Sequence, residues 1–131
     1  MSHRILVDAS NVLFWQGGGA RLDTLKIVAS ALCARRFVPE LIFDFRVGLA
    51  VEEVALHLGL DAHCVQIAPE GAAADALLLD RAEQSGAQIV TRDQYRDWRD
   101  NYPALRRDWL VSGRIVGGRA QFSRKLRAVP I

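Results

Sequence analysis

Cysteine is scarce in this sequence: the 131 residues include two, Cys33 and Cys64. Two thiols this far apart supply neither a disulfide framework nor the paired spacing of a structural zinc site. Histidine is almost as rare. His3, His57 and His63 are scattered without ligand spacing and read as non-catalytic. No apolar run approaches the ~18 residues of a membrane span. Met1-Ser2-His3-Arg4 leads into a strand rather than into a secretory apolar core. The expectation is therefore a reduced, cytoplasmic protein with no membrane attachment. Gly17-Gly18-Gly19 does not match a dinucleotide fingerprint, and no P-loop is present. Repeats, low-complexity runs and linkers are also missing. The length suits one domain with a real core.

What is present is charge, unevenly spread. The net charge is +2. From Arg92 to the end there are ten Lys/Arg against four Asp, whereas residues 1–91 carry seven Lys/Arg against eleven Asp/Glu. A basic end beside an acidic remainder suits a site that holds a polyanion next to carboxylates; the alternative is a solvated basic tail.

Ile5-Leu6-Val7 reads as a short buried strand that runs into Asp8, Ser10 and Asn11. Residues 21–36 have helical spacing through Leu22, Leu25, Val28, Ala29 and Leu32, with Asp23 near the positive end. Residues 41–45 form a second buried strand ending near Asp44. Residues 47–58 form a weaker helix with Gly59 as its C-cap. A third strand covers 64–67. Residues 73–85 make the best helix, with Leu77, Leu78 and Leu79 on its packing face and Gly86 as cap. A fourth strand covers 88–91. Pro103 suits the start of another helix reaching Gly113. Residues 114–116 and 120–122 form a closing edge strand or a hairpin around Gly117-Gly118. The segment 123–131 is basic, aperiodic and expected to be mobile. Alternating strands and helices predict an α/β fold, with helices on both faces of a mostly parallel sheet. The domain is placed at 1–122, with 123–131 as a tail.

Five aspartates fall at one edge of such a sheet. Asp8, Asp44 and Asp93 lie at or just past strand carboxyl ends, where open α/β sheets bind ligands. Asp75, in the first turn after the third strand, returns to the same edge. Asp97 lies four residues after Asp93, so in a helix the two share a face. Clustered carboxylates repel unless they share a proton or bind a divalent cation. Oxygen ligands without His or Cys point to Mg²⁺ or Mn²⁺, and such an ion suits phosphodiester hydrolysis. Each aspartate also has a structural reading as a cap, a turn residue or a surface ion-pair member; their convergence argues for a site. Trp15, Trp98 and Trp109 are more often packing residues than base-stacking platforms; of the three, Trp15 is the best stacking candidate, because it follows the Asp8 loop.

Three blocks carry a family resemblance. Val7-Asp8-Ala9-Ser10-Asn11-Val12 is similar to the V-D-G-S-N-V opening of NYN/PIN-like ribonucleases, nearest to the domain of the Regnase (MCPIP) proteins found beside CCCH zinc fingers. Ala74-Asp75-Ala76-Leu77-Leu78 resembles that family's acidic pair opening a helix. Ile89 to Asp97 resembles V-V-S-N-D-x-Y-R-D, the most specific block. The resemblance spans roughly residues 4–122. It implies a three-layer α/β/α PIN-like fold and metal-dependent endoribonuclease activity. By position it implies an acidic centre of Asp8, Asn11, Asp75, Asp93 and Asp97. Asp8, Asp75 and Asp93 would hold the metal, Asn11 would orient a carboxylate or water, and Asp97 would complete the set. Three departures stand out. Ala74 replaces one member of the acidic pair, Ala9 replaces a glycine, and neither a zinc finger nor a long insertion is present.

The preferred reading is a Mg²⁺- or Mn²⁺-dependent endoribonuclease acting on single-stranded RNA. Ser10 and Trp15 would help to hold the RNA, and Arg92, Arg96, Arg99, Arg124, Lys125 and Arg127 would contact phosphates. The alternatives are a non-catalytic RNA-binding module, which Ala74 favours, and a toxin-type PIN ribonuclease restrained by a regulatory protein partner. By analogy with PIN-like domains, a homodimer through an edge strand is also expected.

Overall fold

The computed structural model describes residues 2–129. Five strands form one parallel sheet in the order β3-β2-β1-β4-β5: β1 Arg4–Asp8, β2 Val38–Phe43, β3 Val65–Ile67, β4 Ile89–Val90 and β5 Leu110–Val111. The helices are a single turn α1 (Ala9–Val12), then α2 (Leu22–Ala34), α3 (Val51–Leu58) and α4 (Ala74–Ser85). A separate antiparallel hairpin, β6 (Gly113–Val116) and β7 (Arg119–Phe122), turns at Gly117-Gly118. No described helix is long and apolar enough to cross a membrane.

The strands read as continuous apolar runs because the sheet is covered on both faces. Side chains alternate, so Ile5 and Val7 pack with Leu25, Val28 and Leu32 of α2 and Val54 and Leu58 of α3. Leu6, Ile42 and Ile89 point the other way, onto Leu78, Leu79 and Ala82 of α4 and onto Tyr95, Tyr102 and Leu105. The result is the three-layer α/β/α arrangement. The predicted caps at Gly59 and Gly86 are in place, both with left-handed backbone (φ 70° and 77°) that spares a side chain the steric cost.

Two expectations need correction. The helix predicted from Pro103 to Gly113 does not form; a single 3₁₀ turn at Arg107–Trp109 leads into β5. Leu110 and Val111 are buried strand residues paired with Ile89 and Val90, so closing the sheet edge beats a weak local helical pattern. The tail is also held down. The Arg127 N–H donates to Gln88 Oε1 (2.9 Å), and its guanidinium donates to the carbonyls of Asp108 and Gly86 (2.9 and 3.2 Å). Val129 is buried and bridges to Ser2. Positions 130 and 131 lie outside the described residues.

The strand order reverses between β1 and β4. The chain leaves β1 for β2 on one side, and returns after α4 to pair β4 on the other. The carboxyl ends of those two strands border the crevice where this kind of sheet binds ligands.

Candidate active site

Asp8 ends β1 inside that crevice and is only 5 % exposed. Its Oδ2 accepts two hydrogen bonds, from Thr91 Oγ1 (2.9 Å) and from the Tyr95 hydroxyl (2.8 Å). Burial pushes its carboxyl up to about 6, against the lowering effect of those bonds, and Asp75 pushes it further. A carboxylate at this depth costs free energy that two donors only partly offset.

Asp75, in the first turn of α4, is also raised, first by desolvation and then by the negative charge of Asp93; the Trp98 Nε1–H, donated to its Oδ2 at 3.1 Å, works the other way. Asp93 follows β4 closely. Its N–H donates to Thr91 Oγ1 (3.1 Å) and its Oδ1 accepts the Tyr95 N–H (2.7 Å). That local turn receives Tyr95 with a left-handed backbone, φ 51° and ψ 40°, a conformation costing a non-glycine residue roughly 1–2 kcal/mol. It is what aims the fully buried Tyr95 ring and hydroxyl at Asp8. The same bend removes the helical face expected for Asp93 and Asp97, because only the 3₁₀ turn Arg96–Trp98 follows. Asp97 nevertheless lines the same cleft, of about 420 Å³, with Asp75, Asp93, Arg92 and Arg96.

The other predicted residues fall into distinct places. The Asn11 side chain is a brace: its Oδ1 accepts the Arg92 N–H and the Trp15 Nε1–H, both at 2.9 Å. Trp15 is 6 % exposed, with the Arg92 guanidinium 5.0 Å from its ring centroid, so it packs and offers no platform for a base. Arg92 donates to the carbonyls of Gly113 and Trp15 (3.0 and 3.2 Å), tying the site to the hairpin. Arg99 donates to the Gln94 carbonyl (3.1 Å). Ser10 Oγ accepts the Asp44 N–H (2.8 Å), joining the ends of β1 and β2. Asp44 caps the 3₁₀ turn Phe45–Val47 and adds to the field on Asp75. Arg127 is bonded beside the amino end of β4, at the opposite edge of the sheet, and the Lys125 carbonyl accepts from Gln88 Nε2 there. Arg124 is exposed on the same segment.

Sequence reasoning passed over Thr91, Tyr95 and Trp98, the side-chain donors to the buried Asp8 and the half-buried Asp75. The only signal for Tyr95 was its place two residues after Asp93 in the most specific block.

The donors left in the cleft suit a hard cation. Asp75 Oδ1 and Asp93 Oδ2 accept no hydrogen bond among the described residues, and no His or Cys joins them. Among the described residues, however, no three acidic, His or Cys side chains form a metal-holding group. An ion that keeps several of its waters, as Mg²⁺ does, fits that spread; a dehydrated cage does not.

The fold recurs in solved structures of the nuclear protein-only RNase P 2 (PRORP2) of Arabidopsis thaliana. One matches with a TM-score of 0.73 and 17% identity over 98% of this chain and 31% of that one. A second matches with a TM-score of 0.65 and 19% identity over 94% and 30%. The chain thus spans about a third of the length of the structures it resembles. No curated protein matches at a significant level. Residues 1–117 match the family described as the Zc3h12a-like ribonuclease NYN domain. The chain belongs to that family of ribonuclease domains.

Proposed function

We propose that this ribonuclease domain is a divalent-cation-dependent endoribonuclease that cuts single-stranded RNA in the cleft between the carboxyl ends of β1 and β4. The observation carrying this reading is the buried Asp8, raised to about 6, in the field of Asp75 and beneath the Asp93 turn. Asp75 and Asp93 would hold Mg²⁺ or Mn²⁺ with Asp8 nearby, directly or through water. When bound, the ion supplies charge stabilisation and orients a phosphate.

The chain's own groups account for the rest. Thr91 and Tyr95 fix Asp8 through Oδ2, and the carboxylate so held would accept a proton from the attacking water. A carboxyl raised towards neutrality is matched to that task. Asn11 keeps the Arg92–Asp93 turn against the end of β1. Arg96, exposed on the cleft, contacts the RNA backbone. A flexible single strand can thread past a recessed carboxylate more readily than a duplex can.

A second reading, an RNA-binding module without turnover, is favoured by Ala74, which is apolar and 6 % exposed where the family resemblance implies an acidic partner for Asp75. One assay separates the two: an end-labelled single-stranded RNA incubated with no metal, Mg²⁺, Mn²⁺ or EDTA, beside Asp8→Asn. Metal-dependent cleavage lost in the variant supports the nuclease. RNA bound but uncut under every condition supports the module.

A further inference from the structure

Beside the acidic cleft, on the other side of Asp8, lies a second hollow of about 310 Å³ that the proposed chemistry does not use. Ser10, Leu13, Phe14, Asp44, Arg46 and Val47 line it. It sits at the carboxyl ends of β1 and β2, and Ser10 is two residues past Asp8. Phe14 is 55 % exposed, the most exposed aromatic of the apolar set, in a chain whose other large apolar side chains are mostly buried. Leu13 and Val47 complete an apolar wall. The polar groups are of two kinds. The Asp44 Oδ1 accepts the Arg46 N–H (3.0 Å), and its Oδ2 accepts no hydrogen bond among the described residues. Ser10 Oγ accepts from the Asp44 N–H, so its own hydroxyl proton remains to be donated.

We infer that this hollow is a nucleobase subsite. It takes one base of the RNA next to the phosphate held in the acidic cleft, a role that rests on the nuclease reading above. Phe14 supplies a face for stacking, which every base can use. Asp44 supplies selection. An ionised carboxylate only accepts, so it pairs with a base edge that presents an exocyclic amine: guanine, adenine or cytosine. Uracil presents two carbonyl oxygens flanking a single N–H, and would set an oxygen against the carboxylate. Arg46, whose guanidinium lies 5.3 Å from the Phe45 ring centroid at the rim, is placed for the adjoining phosphate. The subsite discriminates against uracil at one fixed position relative to the cut.

The test digests a random-sequence single-stranded RNA pool and sequences the new ends. Each molecule competes internally, so the base preference does not depend on how much protein is folded. The wild-type protein is expected to deplete uracil about fivefold or more at one position flanking the cut. Asp44→Asn, whose amide can donate to a uracil oxygen and still cap the turn, erases that depletion, and Phe14→Ala flattens the preference. A flat wild-type profile, or a bias unchanged in both variants, overturns the subsite and leaves the nuclease standing. A parallel NMR titration with GMP and UMP reads the pocket without turnover. Shifts at the Ser10, Phe14 and Asp44 amides with GMP and not with UMP support it even if no cleavage occurs. Equal shifts, or none, overturn it.

Discussion

The Tyr95 hydroxyl donates to Asp8 Oδ2 at 2.8 Å across 87 residues of chain, and both groups are pushed from their ordinary protonation by the contact and by burial. The Tyr95 phenol is held well above 10, and the Asp8 carboxyl rises to about 6 even though this bond favours its ionised form. Tyr95→Phe removes the donor alone. Asp8 should then titrate higher still, so the acid limb of the kcat/KM profile moves to higher pH. The fold loses about 1 kcal/mol, the usual worth of one hydrogen bond. A pH–rate profile beside the wild-type protein checks the direction; an unmoved acid limb removes Asp8 from the role of base.

Asp8→Asn tests the same carboxylate through stability. The ordinary carboxyl of 3.8 applies to the unfolded chain and about 6 to the folded one. Between those values the folded state binds more protons, so Asp8 makes stability fall as pH rises through that window. Above it, the buried charge costs about 3 kcal/mol. In EDTA the Asn variant should therefore melt higher than the wild-type protein at pH 7. The gain should shrink on acidification and vanish near pH 4. Melting curves followed by tryptophan fluorescence read it directly, and a pH-independent difference contradicts it.

Arg96 and Arg127 separate affinity from architecture. Arg96 is exposed on the cleft, so Arg96→Ala should weaken RNA binding. It should also reduce the slope of log affinity against log salt by about 0.7, the share of one single-strand phosphate. Arg127 instead clamps the carbonyls of Gly86 and Asp108. Arg127→Ala should cost roughly 1–2 kcal/mol of stability and leave the salt slope unchanged. Fluorescence anisotropy at several salt concentrations, with thermal melts, distinguishes the two.

Ala74→Asp should not simply restore an acidic pair. Ala74 is 6 % exposed and packed in the cluster of Leu78, Leu79 and Ala82. A carboxylate there loses hydration, a cost of several kcal/mol, and the positive end of α4 returns at most about 2 kcal/mol. The variant should melt at lower temperature than the wild-type protein at pH 7. Calorimetry checks it; an unchanged melting temperature would mean the first turn of α4 opens to water.

The sequence made the scaffold legible because burial leaves a local trace. Ile5-Leu6-Val7 and Leu41-Ile42-Phe43 are apolar without alternation, as strands covered on both faces must be, and Gly59 and Gly86 mark the helix ends they cap. The positions of Asp8, Asp75 and Asp93 at one sheet edge followed from the same alternation of strands and helices. Asp97 lines the cleft from a 3₁₀ turn rather than from a helix. Of the two readings of Trp15, stacking platform and packing, the structure favours packing, because exposure is a tertiary property. The residues that follow it, Gln16 to Gly19, are polar and glycine-rich, and what covers it comes from Arg92 and Gly113.

By itself, then, the sequence determined the strands and helices from β1 to β4, and that its carboxylates collect at the carboxyl edge, since periodicity and chain direction decide both; β5 formed where a weak local pattern had suggested a helix. Only the tertiary structure decided which groups receive those carboxylates. Thr91 and Tyr95 meet Asp8, and Trp98 meets Asp75, across long stretches of chain. It also decided that Asn11 and Arg92 brace the site and that residues 123–129 are fastened at the far edge. Hydrogen bonds between residues distant in sequence leave no period to read. They follow from where the sheet reverses its order and from the need of each buried polar atom for a partner.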